Sequence, residues 1–404
     1  MRKAGANALA GALHFAVLLL TATVGLAAGP GLSARSVDVA EDGGRTRFGL
    51  ILSHGVPVEV FSLANPYRVV IDLPEVQFDL PAEAGRRGKG LVTAYRFGLF
   101  AADKSRMVLD TGGPVLIEEA RMVALPDGSV RLELAFVGTD PATFGGGTGA
   151  SRQAPRPQRD QPREKSTGSR PVIVVDPGHG GIDPGTLGQG ATYEKDIVLA
   201  VGLKLTAALA ETGRYEVHLT RDSDVFVSLD DRLALSAERG ADLFISLHAD
   251  ALADSNFARH VRGATVYTLS ERASDELARR MAEKENSADL VAGLSVATGE
   301  AADDVRDILI DLMKRETANF SSDFSTALVS RMKEAVKLSR DPRRSAAFKV
   351  LKQTNTPSVL LELGYLSNPE DERTMLTTKW QRDMASSIAR AVEDYFARRL
   401  AGAR

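Results

Sequence analysis

The chain has 404 residues, 44% of them hydrophobic and 25% charged, with a formal net charge of -3 at neutral pH. Such a length and balance fit a folded protein of two domains and exclude a chain too polar to bury a core. The near-neutral charge supplies no basic field for nucleic acid, and the absence of cysteine leaves only His, Asp and Glu to hold a metal and rules out disulfides.

Arg2 and Lys3 precede an Ala-, Leu- and Val-rich stretch from Ala8 to Ala28 that closes in small residues before Gly29 and Pro30. The pattern predicts an export leader over residues 1–34, cleaved after Ala28 or Ala34. His14 and the scattered Gly and Thr argue against a retained anchor, so no stable membrane span is expected after cleavage. From 35 to 140 the segments "RTRFGLIL", "YRVVIDLP", "SRMVLDT" and "SVRLELAFV" alternate with turn residues and predict an all-β sandwich. "RVVID" and "RMVLD" form a loose repeat within it. Residues 141–170 hold almost no large apolar side chains and cannot repay their ordering entropy, so they predict a flexible linker.

From 171 to 404 the pattern becomes strand, helix, strand. "VIVVD" (172–176), "YEVHLTR" (215–221), "DLFISLH" (242–248), "ATVYTLS" (264–270) and "SVLLELG" (358–364) read as strands. Helices are expected over Glu194–Thr212, with Thr192 as N-cap, over Leu229–Arg239 and over Lys379–Leu400. Near-continuous apolar strands between amphipathic helices predict an α/β domain with a mostly parallel central sheet. The interval from about 271 to 348 exceeds any single crossover, is strongly charged and reads as a helical insertion. Its later part, "DDVRDILIDLMKRETANF", repeats apolar residues at 305, 308, 309 and 312 and suits either a docking surface or packing against the sheet.

In such sheets chemistry gathers beyond the carboxyl ends of the strands. There the sequence sets His179, in "VVDPGHGGIDPG", and His248, at the end of "DLFISLH", with Glu362 late in "SVLLELG" and Glu194 in the first turn of a helix. Singly, each has a plain structural account: a turn histidine, or a glutamate complementing a helix dipole. Jointly, two imidazoles and two carboxylates from remote segments are the parts of a hydrolytic zinc site. His14, His54, His218 and His260 receive no role. "GHGGIDPG" lacks the Lys-Ser/Thr ending of a phosphate loop.

"VVDPGHGGIDPG", "YEKDIVLAV", "ADLFISLHAD" and "VLLELGYLSNP", in that order across most of 171–400, resemble the zinc-dependent N-acetylmuramoyl-L-alanine amidases that cut peptidoglycan. The preceding β domain is similar to AMIN-type modules. The resemblance implies Zn2+ held by His179, Glu194 and His248, with Glu362 as the catalytic carboxylate. It implies a periplasmic enzyme recruited to the division septum, and an inhibitory helix that lends a carboxylate to the metal until an activator with a degenerate LytM-type domain removes it. Within "ERASDELARRMAEKENSADL" that carboxylate is expected to be Glu285, with Glu283 second and Glu271 and Glu276 behind. The competing expectation is a catalytically inactive wall-binding or division scaffold.

Overall fold

The computed structural model describes residues 18–20, 31–81, 83–144, 170–251, 261–294, 307–353 and 355–402. Most of the expected leader and of the linker lies outside the described residues. The chain divides into two compact units, one drawn from residues 1–96 and 106–153, the other from 97–105 and 154–404.

The first unit is built from two five-stranded sheets. One joins β1 (Leu18–Leu20), β4 (Val58–Leu63), β5 (Arg68–Pro74), β8 (Lys104–Thr111) and β7 (Val92–Ala101), in that order; the other joins β6 (Gln77–Phe78), β2 (Ser33–Asp42), β3 (Arg45–Leu52), β10 (Val130–Gly138) and β9 (Val115–Ala124). Alternation along β3 and β10 buries Phe48, Leu50 and Leu52 against Leu132, Leu134 and Phe136, with Arg47, Arg131 and Glu133 between them turned to the other side. The loose repeat has a physical origin. "RVVID" and "RMVLD" are neighbouring strands, and Arg106 of one clasps Asp72 of the other through two bonds of 2.5 and 2.9 Å, both residues buried.

The second unit holds a six-stranded sheet in the order β12 (Glu216–Leu219), β11 (Val172–Pro177), β13 (Leu243–His248), β16 (Ser358–Glu362), β14 (Ala264–Leu269), β15 (Leu338–Ala346). The first four strands run parallel, β14 opposes β16, and β15 follows β14. Both faces are covered, which is why β11, β13 and β16 read as unbroken apolar runs. On one face lie α1 (Glu194–Glu211), α5 (Asp307–Met332) and α7 (Thr378–Gly402), burying Ile197, Val201, Leu205, Phe324, Leu328, Met384, Ile388 and Val392. On the other lie α2 (Leu229–Glu238) and α3 (Glu276–Glu285), followed by the short α4 (Ala288–Val291), with Leu229, Ala278, Met281 and Ala282 buried beside Phe244, Phe348 and Tyr365. After β16, α6 (Pro369–Met375) starts from Asn368, whose side chain caps it by accepting from Glu370 and Asp371.

Two expectations are corrected, and a third falls on side chains outside the described residues. The interval 271–348 is not wholly helical, because "LSRDPRRSA" forms the edge strand β15. An edge needs no apolar run, and its charges and Pro342 guard the open side, with the register shifting where the proline sits. Of the described side chains of α5, Phe324, Ala327, Leu328 and Met332 pack on the sheet, while Arg315, Glu316 and Asp323 are exposed. Val305 of its apolar repeat lies outside the described residues, as do the side chains of Ile308, Leu309 and Leu312. Thr192 does not cap α1; the capping position is Tyr193, which offers no side-chain bond, while the Thr192 carbonyl accepts from Gly188.

Candidate metal centre

The loop after β11 is held from beneath. Asp176, fully buried, accepts from Thr220 Oγ1 at 2.6 Å, Ser246 Oγ at 2.6 Å and Arg232 Nη1 at 2.5 Å. Burial pushes its carboxyl up, but Arg232 and the two hydroxyls outweigh that and hold it below the usual range. Arg232 also donates to the carbonyls of Pro177 and His179, and Arg221 to those of Pro177 and Gly178. Two arginines thus satisfy the carbonyls that a turn would otherwise leave unpaired.

On this base His179 adopts a left-handed backbone conformation, φ 58°, which an L residue accepts at a cost only where its surroundings enforce it. Its Nδ1 meets Asp183 Oδ2 at 2.8 Å, fixing the ring so that Nε2 faces inward. Two glycines make room. A Cβ on Gly178 would fall 2.5 Å from the His248 ring, and one on Gly185, at φ 66°, would fall 2.7 Å from His179 Cδ2 and 2.8 Å from Glu194 Oε2.

Inward-facing atoms then converge. Glu194 Oε1 lies 3.2 Å from His179 Nε2 and 3.3 Å from His248 Nδ1. Its carboxylate is fixed by backbone donors, Thr186 N to Oε2 and Ala249 N to Oε1, each at 2.8 Å. Glu285, from the last turn of α3, places Oε2 3.0 Å from His248 Nδ1 and 3.4 Å from His179 Nε2. Glu362 pairs in register with His248, is fully buried, and accepts from Asp250 N at 3.0 Å. Of the carboxylates weighed on α3 and its approach, Glu283 is not among them: it is exposed and pairs with Arg279 on the outer face, where Glu276 binds the same arginine. Glu271 is also exposed.

The cluster lacks positive charge. Burial should lower both imidazoles, yet Glu194, Asp183 and Glu285 raise His179 well above its ordinary value, and Glu285 and Glu194 carry His248 up to about 10. Burial lifts the Glu194 carboxyl, and His179, His248 and Lys284 return it well below its usual range. Glu362 is pushed up to about 8, by burial first and then by Glu194 and Glu285, against the pull of His248. Meanwhile His179 Nε2, His248 Nδ1, Glu285 Oε1 and Glu362 Oε1 are buried without a hydrogen-bond partner. Imidazole nitrogens and carboxylate oxygens left bare around one point, drawing protons for want of another cation, suit a divalent ion that would take the protons' place. His179, His248 and Glu285 offer ligand atoms within 4.8 Å of one another, so this buried group could bind a metal.

Several residues of the centre have no local mark in the sequence. Asp183 stands four residues from His179 in "GHGGID". Asp250, Thr186 and Lys284 meet only in the fold: Thr186 Oγ1 donates to Asp250 Oδ1 at 2.6 Å, and Lys284 Nζ contacts both. No described helix is long and apolar enough to cross a membrane.

Known proteins share this organisation. The family model described as N-acetylmuramoyl-L-alanine amidase matches residues 173–394, and the AMIN domain model matches 36–139. N-acetylmuramoyl-L-alanine amidase AmiC of Escherichia coli O6:H1 is 30% identical over 354 residues, 83% of this chain and 83% of that protein. AmiA of Salmonella typhimurium is 38% identical over 237 residues, 58% of this chain and 80% of its own length. Among solved structures, amidase AmiC2 of Nostoc punctiforme is 26% identical, with a TM-score of 0.41 over 57% of this chain and 98% of that one. From the model match across 173–394, the chain belongs to the N-acetylmuramoyl-L-alanine amidase family and carries an AMIN domain ahead of its amidase domain.

Proposed function

We propose that this chain is an exported, zinc-dependent peptidoglycan amidase that cuts the amide between N-acetylmuramic acid and the L-alanine of the stem peptide, and that α3 keeps it closed. His179, Glu194 and His248 hold the ion. Zinc bound there would polarise the scissile carbonyl and activate water. Glu362 takes the proton of the attacking water and hands it to the departing amine. Its raised affinity for a proton, in a buried site beside Glu194 and Glu285, supports that exchange. Asp183 holds the His179 ring, and the backbone amides of Thr186 and Ala249 keep Glu194 from turning.

The observation that carries the closed state is Glu285. Its Oε2 faces the same two nitrogens as Glu194 and so adds a fourth donor, the number at which zinc sites are closed. The space left beside Gly178, His179, His248 and Glu285 is about 10 Å³, at most the room of one water and none for an amide. Such restraint suits an enzyme released at the division septum by an activator that displaces α3, for which we retain the degenerate LytM-type partner. The leader over 1–34, the linker over 141–170 and periplasmic residence complete the reading. Cleavage after Ala28 leaves β2 whole, whereas cleavage after Ala34 would remove its first two residues.

Mass spectrometry of fragments released from purified sacculi tests it. With Glu285→Ala in the background, the zinc-loaded chain should free stem peptides beginning at L-alanine, and adding Glu362→Gln should abolish release while zinc content stays the same. Undiminished release by the Glu362→Gln chain defeats the assignment.

A further inference from the structure

Asp250 has no part in the scheme above, yet it is fully buried and its Oδ2 has no hydrogen-bond partner. Its Oδ1 accepts from Thr186 Oγ1 at 2.6 Å and from Ala251 N at 2.6 Å. A buried carboxylate with a bare oxygen is costly unless a cation or donor faces it. The cation present belongs to α3: Lys284 Nζ contacts Asp250 Oδ1 and lies 2.5 Å from Thr186 Oγ1. Lys284 is itself 42% exposed and adjoins Glu285, so whatever withdraws Glu285 withdraws Lys284 with it.

The socket is tied to the reacting groups through its own backbone. Thr186 N holds Glu194 Oε2 at 2.8 Å, and Asp250 N holds Glu362 Oε2 at 3.0 Å. It therefore sits between the carboxylate that faces the imidazoles and the carboxylate that passes the proton.

We propose that Asp250 and Thr186 form the recognition site for the nitrogen on the peptide side of the scissile bond, and that Lys284 occupies it as a stand-in while α3 is closed. In the open chain Asp250 accepts from the amide N–H. As the C–N bond breaks, the nitrogen takes the proton that Glu362 received from water, and the freed α-amine, cationic at neutral pH, lies against a carboxylate. Water and amide give one carboxylate and one ammonium, the second proton of water passing from the new carboxyl to the amine, with no other reactant. Closure by α3 is thus double: Glu285 takes the donor position at the imidazoles, and the neighbouring lysine takes the place of the leaving group. This rests on the amidase reading, and the test separates the two.

The full-length K284A chain, its socket emptied, is titrated calorimetrically with n-butylammonium, with tetramethylammonium, which cannot donate a hydrogen bond, as control. Butylammonium should bind and tetramethylammonium should not. Adding D250N should weaken butylammonium binding by about tenfold or more, the value of a hydrogen bond to a charged group. With a soluble N-acetylmuramoyl-L-alanyl peptide as substrate and Glu285→Ala added to both chains to open the centre, butylammonium should inhibit the K284A chain competitively, and adding D250N should cost about tenfold or more in kcat/KM at unchanged zinc content and melting midpoint. Equal butylammonium affinity in K284A and K284A/D250N, or kcat/KM unchanged by D250N, overturns the proposal. Because the titration needs no turnover, a chain opened by Glu285→Ala that still hydrolyses nothing would defeat the amidase reading and leave the socket to the binding result.

Discussion

Asp183 and Asp176 do opposite jobs beneath one histidine. Asp183 touches the ring: its Oδ2 accepts from His179 Nδ1, and its Oδ1 accepts from Gly185 N at 3.1 Å. An amide in its place can present an N–H to Nδ1 and so let the ring turn. Asp183→Asn should weaken zinc affinity about 10–100-fold, measured against a competing chelator, with the fold intact by circular dichroism. Unchanged affinity would remove the orienting role. Asp176 touches no imidazole and carries the loop through Arg232. Its carboxyl is held below the ordinary value of about 3.9, so its contribution to stability is complete above that pH and is lost as pH falls through the lowered value. Asp176→Asn leaves the Arg232 guanidinium buried without its counter-charge and should cost about 3–5 kcal/mol at pH 7. That deficit should shrink below about pH 4, where the unfolded chain's carboxyl begins to take up a proton that the native one still refuses. Denaturant midpoints of both chains at the two pH values check it, and a pH-independent difference would mean that charge is not what Asp176 supplies.

In the proposed closed state the inhibitory element is one short helix, α3, rather than the whole interval from 271 to 348. Asp275 caps α3 by accepting from Ala278 N, and Arg344 of β15 holds that aspartate at 2.5 Å. Ala278, Met281 and Ala282 bury one side, Glu276, Arg279, Arg280 and Glu283 pair along the other, and Glu285 and Lys284 project from the last turn. Burial of Met281 alone is worth about 1.5–3 kcal/mol, enough to hold most chains closed and little enough for a partner to reverse. If closure is favoured by about 3 kcal/mol, basal activity is suppressed more than about a hundredfold. Glu285→Ala should therefore raise unassisted hydrolysis of sacculi at least about tenfold, and Glu283→Ala, on the solvent side, should leave it unchanged; the reverse order would move the plug to the other carboxylate. Excision of residues 273–345 is expected to unfold the domain instead, since it removes β15 and the Phe324, Leu328 and Met332 layer of α5. That mixture explains what the sequence could reveal. Parallel strands covered on both faces, such as β11 and β13, must be apolar throughout and are readable. An edge strand written "LSRDPRRSA" has no such demand, and a core helix inside a charged interval looks like its half-buried neighbour α3. The positions of His179, Glu194, His248 and Glu362 were legible because they follow from where strands and one helix begin or end. Asp250 and Lys284 were not, because 34 residues and the return of α3 over the sheet separate them.

At the scale of the molecule, the chain divides into two compact units, and His179 and His248 both belong to the second. A ligand that binds one folded unit stabilises that unit alone by mass action, about 2.7 kcal/mol when its free concentration is a hundred times its dissociation constant. For a unit of some 250 residues each kcal/mol moves the melting midpoint by about 2–4 °C. Calorimetry of the intact chain should therefore resolve two transitions, of which one rises by about 5–10 °C between chelator-treated and zinc-supplemented samples while the other stays fixed. The moving transition can be assigned without cutting the chain. His179→Ala and His248→Ala each remove an imidazole from the second unit, so either substitution should abolish the zinc-dependent shift and leave the stationary transition untouched. A single transition that moves as a whole would show that the units unfold together, and two transitions that both ignore zinc would deny the centre its ion.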